Sequence, residues 1–163
     1  SGLPINISIS EGTSSAIVGA SSSISGVNIY SGTIDATGLT NYAISVPVNA
    51  TITDVSVYFS TTASLALVGT TITLTAKIFQ STTPDNTFTQ IGSDIVLSPA
   101  LTGIIGIGTI SMGFANGLSL PVTANSRIML VFSGDVTSGI FLETTVIGYA
   151  SGGIVMSLGS VPT

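Results

Sequence analysis

The sequence contains no cysteine, no histidine and no tryptophan, and its only cations are Lys77 and Arg127. Without cysteine there are no disulfides, no thiolate nucleophile and no thiolate-held zinc. Without histidine there is no Ser-His-Asp triad, no imidazole general base and no imidazole-held metal. These absences close most of the enzyme repertoire, although the lack of cysteine does not fix a compartment. Counterion release from phosphates needs several Lys or Arg on one face. Two cations against a formal net charge of −5 cannot supply that, so neither nucleic acid nor an anionic lipid surface is an expected partner.

Charge of either sign is scarce. Only 6% of the 163 residues are charged, against roughly 25% in an ordinary soluble domain. The apolar fraction is 44% and the mean hydropathy is +0.74, which makes a membrane span the first possibility to test. The longest uncharged run lies between Asp94 and Arg127, and Pro99, Gly103, Gly106, Gly108, Gly113, Gly117 and Pro121 interrupt it. A spanning helix needs about 20 mainly apolar residues without such breakers, so no membrane span is expected. The opening residues, SGLPINISIS, lack the basic start and long apolar stretch of a signal peptide. High apolar content with little charge leaves apolar surface beyond one chain's core, and such patches usually meet a partner. Self-association is the expectation.

What is present alternates. In Thr51–Phe59, Val55, Val57 and Phe59 share one face while Asp54, Ser56 and Tyr58 share the other. In Thr71–Phe79, Ile72, Leu74, Ala76 and Ile78 oppose Thr71, Thr73, Thr75 and Lys77, a half-buried strand with a threonine face. Further strand segments fall at 5–9, 27–30, 42–46, 95–97, 104–110, 118–122, 128–132, 140–148 and 154–158. Turn clusters separate them, among them Ser31-Gly32, Thr37-Gly38, Pro47-Val48-Asn49, Gly134-Asp135 and Ser151-Gly152-Gly153. The pattern predicts an all-β sandwich or barrel, with a single helical turn over Thr61–Val68 as the best helix signal. No linker divides the chain, which reads as one domain over 1–163, its first 30 residues loosely packed.

The richest polar stretch is Gln80–Phe88, QSTTPDNTF. Pro84 fixes φ for a turn, and Asp85 and Asn86 bond their own backbone in Asx-type turns. A structural loop is the expected reading. The functional rival is a calcium or glycan contact through Asp85 and Asn86, but calcium takes six to eight oxygens and no EF-hand spacing follows.

The remaining candidates are equally plain. The seven carboxylates are Glu11, Asp35, Asp54, Asp85, Asp94, Asp135 and Glu143, and a glycosidase would need two of them facing across a cleft. Gly103–Gly108 lacks the helix and Gly-Lys-Ser/Thr that would make it a phosphate loop. Lys77 predicts a cross-strand or inter-subunit ion pair in preference to a Ser–Lys nucleophile pair. Asn6-Ile-Ser8 and Asn49-Ala-Thr51 fit glycosylation sequons, which arise by chance in such a composition. No catalytic, cofactor-binding or metal-binding residue is assigned, and no cofactor is implied.

Four segments carry a resemblance: Val57–Leu65 (VYFSTTASL), Gln80–Phe88 (QSTTPDNTF), Leu130–Ser133 (LVFS) and Gly148–Ile154 (GYASGGI). In content and order they resemble the C-terminal domain of the collagen-like exosporium glycoproteins of spore-forming bacteria, the BclA/BclB type. The resemblance anchors roughly the last two-thirds of the chain. It implies a C1q/TNF-like jelly-roll β-sandwich that forms a homotrimer at the end of a Gly-X-Y stalk, without catalysis, outside the cell on the spore surface. It implies the keywords structural protein, glycoprotein and adhesion, and leaves a host or spore-coat surface ligand as a further partner class. No Gly-X-Y run is present here, so the stalk is implied only. A triple helix needs three strands in register, and a closed threefold cap supplies it. Segments Ile104–Ile110 and Ile140–Met156, apolar on both faces, are the expected contributors to the threefold contact. The alternative function is a carbohydrate- or receptor-binding knob, lectin-like or phage-fibre-like.

Overall fold

The structure is a computed structural model that describes residues 2–9, 15–18, 23–37, 42–83 and 85–158. Among them thirteen strands follow one another. The first five are short: β1 (Leu3–Ile9), β2 (Ser15–Val18), β3 (Ser23–Val27), β4 (Thr33–Asp35) and β5 (Ile44–Ser45). Three long ones come next, β6 (Ala50–Thr61), β7 (Leu65–Ser81) and β8 (Thr87–Val96). After β9 (Leu101–Ile105), β10 (Ile110–Ala115) and β11 (Leu120–Val122), the described chain closes with β12 (Arg127–Gly139) and β13 (Thr144–Leu158).

These strands build two antiparallel sheets packed as a sandwich. The smaller sheet has the order β1-β13-β6-β10, with β11 also on β6; the larger has the order β3-β2-β12-β7-β8-β4, with β5 on β12 and β9 on β7. The pairing of the strands is nested. β1 pairs β13, β2 pairs β12, β6 pairs β10 and β7 pairs β8, every pair antiparallel.

The expected alternation appears where it was read. Val55, Val57 and Phe59 of β6 face Ile72, Leu74, Ala76 and Ile78 of β7 in one core with Ile128, Leu130 and Phe132 of β12. A second cluster lies on the other side of the larger sheet, where Phe79, Phe88, Met129 and Val131 are buried beneath Ile29, Ala36 and Tyr42. Two-sided burial explains the uninterrupted run Ile128-Met-Leu-Val-Phe132, since a strand covered on both faces has no polar face to alternate. Burial on both faces was expected of Ile104–Ile110 and Ile140–Met156; among the described residues it belongs to β2, the end of β7 and β12.

Several boundaries differ from expectation. Leu65–Val68 is extended and opens β7, because Leu67 buries completely against the core. Ile104–Ile110 is two strands joined by a turn, in which the Gly108 amide donates to the Thr61 carbonyl at 2.8 Å. The glycines expected to make turns at 134 and at 152–153 lie inside β12 and β13. At Gly134 a Cβ would press on Leu74 and Ile9, and at Gly152 it would overlap Leu130 Cδ2. Gly134 and Gly152 are small because Ile9 and Leu130 of the opposite sheet fill the space, not because the chain turns; at Gly153 a Cβ would meet nothing.

The N-terminal strand is not loosely packed either: Ile5, Ile7 and Ile9 of β1 are 2% exposed or less and belong to the main core. Residues 10–14 and 19–22 lie outside the described residues, as does Gly38 of the expected Thr37-Gly38 turn.

Candidate functional site

The feature that stands out is the outer face of the smaller sheet. In β10 the sequence Ile110-Ser-Met-Gly-Phe114 alternates large apolar with small residues, which by pattern alone places Ile110, Met112 and Phe114 inside. The structure does the opposite. Ser111 is buried and the three large side chains are exposed, Phe114 by 73%. Gly113 faces inward, where a Cβ would overlap the Val96 carbonyl oxygen.

β13 repeats this inversion. Its inward positions are Val146, Gly148, Ala150 and Gly152, while Ile147, Tyr149 and Val155 project outward and are exposed. Gly148 and Gly152 are forced to be small by the Phe59 ring and the Leu130 side chain beneath them. Bulk is thus carried on the solvent side of the sheet.

Register sets these side chains in rows. Tyr149 is opposite Ser60, which is opposite Ile110. Ser151 is opposite Tyr58, which is opposite Met112. Gly153 is opposite Ser56, which is opposite Phe114. The face therefore carries two apolar ridges, on β10 and β13, with Ser56, Ser60, Ser151 and Gly153 as a shallow floor around Tyr58. Asp54 at one end, which accepts from its neighbour Thr53 at 2.8 Å, is the only ionisable acid on the β6, β10 and β13 surface described here.

Part of this face was legible. Ile110, Ile147, Tyr149 and Val155 fall in the two expected contact segments; Met112 and Phe114 do not. The signal that would have found them is strict alternation of large apolar with Ser or Gly in a strand, which reverses the usual assignment when the small residues meet bulk from the other sheet. The same segments also leave Ile104, Ile107, Ile140, Phe141 and Leu142 exposed, near one end of the sandwich where Ile140 N–H donates to the Gly69 carbonyl.

The polar candidates make mostly local contacts. Asp85 Oδ1 accepts from the Thr87 amide at 3.0 Å, the expected Asx geometry, and from Ser81 Oγ at 3.1 Å. The Asn86 carbonyl accepts from the Ala36 amide at 2.7 Å, which ties the loop to the segment after β4. Pro84 lies outside the described residues. Beside the loop, Gln80, Ser81, Thr83, Asp85, Thr87 and Thr89 line a polar recess of about 240 Å³.

Lys77 of β7 pairs across the strands with Asp94 of β8 at 2.7 Å, as expected. Gln90 Nε2 donates to the other Asp94 oxygen at 2.7 Å. Partial burial pushes the Asp94 carboxyl up, but the hydrogen bonds from Lys77 and Gln90 and the Lys77 charge outweigh it and hold it below the usual carboxylate range. At exposed Asp35, hydrogen bonds from the Thr37 side chain and amide lower the carboxyl likewise. Arg127 stacks its guanidinium over Phe88, 5.3 Å from the ring centre. Among the described residues no three acids gather as metal ligands, and Glu11 lies outside them. At the second sequon, Asn49 Oδ1 accepts from the Ala124 amide at 2.8 Å. Asn6 of the first is exposed on β1.

The chain matches no family model and no solved structure. Its similarity is to a collagen-like protein. Collagen-like protein 1 of Acanthamoeba polyphaga mimivirus is 28% identical over 121 residues, which cover 73% of this chain and 13% of the relative. The chain thus spans about one-eighth of the length of that curated relative.

Proposed function

We propose that this domain is a non-catalytic homotrimerisation cap that brings three collagen-like strands into register at the end of an extracellular filament, on the bacterial spore surface. The observation that carries this reading is the inverted smaller sheet, with Ile110, Met112, Phe114, Ile147, Tyr149 and Val155 outward while Gly and Ser face the core. Exposed apolar surface of that extent is costly in water and favours a partner.

The ridge on β10 and the shallow floor over β6 differ in shape, so two copies meet best ridge to floor. Such a head-to-tail contact closes into a ring when the rotation allows, and a triple helix requires that ring to have three members. The nested strand pairing supports the jelly-roll form of the sandwich: it is what a long antiparallel ribbon gives when rolled into two sheets. The similarity to a collagen-like protein supports the stalk.

The test is a fusion of this chain downstream of a short Gly-Pro-Pro repeat. The triple-helix circular dichroism signal should return after melting faster and at lower concentration than for the repeat alone. Equal rates would remove the registering role. A second reading, a carbohydrate-binding knob, has the polar recess beside Gln80–Thr89 in its favour; a glycan array tests it directly.

A further inference from the structure

Between the two sheets, on the side where β5 borders β12, lies a cavity of about 280 Å³. The larger sheet contributes Val18, Ile44 and Leu130 to its wall, and the smaller sheet contributes Ile154 and Met156. Gly152 also lines it, kept small by the Leu130 side chain. The only hydrogen-bonding side chain among its lining residues is Tyr42. Ile44, 49% exposed, stands where the cavity meets solvent.

Small-molecule sites are concave and mostly apolar, with a few polar groups that fix orientation, and this recess, which opens to solvent beside Ile44, has that character. Water gains little against such a wall, because the lining side chains offer it a single phenol. Dry apolar cavities take apolar guests instead: one of about 150 Å³ lined by Leu, Ile and Phe accepts benzene. This cavity is nearly twice that volume, and the unbranched Met156 in its wall adapts readily to a guest's shape.

We propose that the inter-sheet cavity is a binding site for a neutral, mainly apolar small molecule with one hydrogen-bonding end. An alkyl chain of about eight carbons with a terminal hydroxyl matches its volume and its single phenol. The apolar part lies between Leu130, Ile154 and Met156, and the polar end meets Tyr42. The site lies at the edge of β12 beside β2 and β5, with Met129 and Tyr42 reaching it from the other side of the larger sheet, so it does not depend on self-association through the outer face of the smaller sheet.

The chain's three methionines give the experiment its reporters. Met129 and Met156 line the cavity, whereas Met112 is exposed on the outer face of the smaller sheet. Methyl-labelled methionine spectra are recorded while 1-octanol is titrated into the intact protein. The expected result is a saturable shift of the Met129 and Met156 methyls with Met112 unchanged. Val18→Phe and Ile154→Phe, which fill the cavity from opposite sheets, should each weaken that binding at least tenfold while the backbone amide spectrum stays dispersed. A shift linear in octanol at all three methyls, a shift confined to Met112, or no shift at Met156 would each overturn the proposal. So would unchanged affinity in a folded cavity-filled variant.

Discussion

The ring of Phe59 on β6 occupies the space that a Cβ at Gly148 on β13 would need. Phe59 is completely buried, and the neighbouring Ser60 carbonyl oxygen also crowds the position. Gly148 sits within a strand at this point, so its role is close approach and not turn formation. Gly148→Ala should therefore destabilise the fold by about 2–3 kcal/mol, the range of overpacked cores. Urea unfolding at fixed protein concentration measures it. An unchanged midpoint would show that the strands separate without cost.

The exposed ridges give a different signature. Phe114→Ser and Tyr149→Ser remove bulk from the outer face without touching the core, so the far-ultraviolet circular dichroism should be retained. If the face is the contact between copies, each truncation costs on the order of 2 kcal/mol of association, as central aromatic positions do. The midpoint concentration for dissociation should rise accordingly in sedimentation experiments. Thr102→Glu, on the exposed threonine surface of the larger sheet, serves as the control and should leave dissociation unchanged.

The second cluster predicts a local effect. Phe88 on β8 is fully buried with Phe79 and Val131 beneath the segment that carries Ile29 and Ala36. Phe88→Ala should cost about 3–5 kcal/mol and also remove the surface under the Arg127 guanidinium. Hydrogen exchange should quicken first across Thr33–Asp35, which pairs with Thr87–Thr89, before β6 and β13 respond.

Acid should weaken the fold through Asp94. Its carboxyl is held below the ordinary range in the folded chain, so its contribution is fully present above the unfolded value of about 3.9. That contribution is lost as pH falls through the lower, folded value. The side chain is 44% exposed, so solvent screening limits the effect to at most about 1 kcal/mol. Asp94→Asn should lower stability at neutral pH by that amount and flatten the decline below pH about 4, measured by urea titration across pH.

How much of this was written in the sequence follows from where the chain alternates. Val55-Val57-Phe59 and Ile72-Leu74-Ala76-Ile78 each have one apolar and one polar face, and both were legible. The Asp85 turn and the Lys77 pairing were legible too, because short-range geometry and charge scarcity left few options. The strands through Gly134 and Gly152 were not. A glycine marks a turn or a close approach equally well, and only the position of Ile9 or Leu130 on the opposite sheet decides between them. Met112 and Phe114 of the outer face failed to show for a related reason. Gly113 faces inward where the Val96 backbone and Ile95 already fill the space, and Ser111 Oγ donates to the Pro99 carbonyl, long-range facts that no local window contains.

The central claim is that the outward bulk of the smaller sheet is covered by further copies of the chain. Multi-angle light scattering on the unmodified protein, at micromolar concentration and neutral pH, tests it most directly. The expected mass is about 49 kDa, three chains of 16.3 kDa each. A single species at 16.3 kDa that persists at high concentration would contradict it.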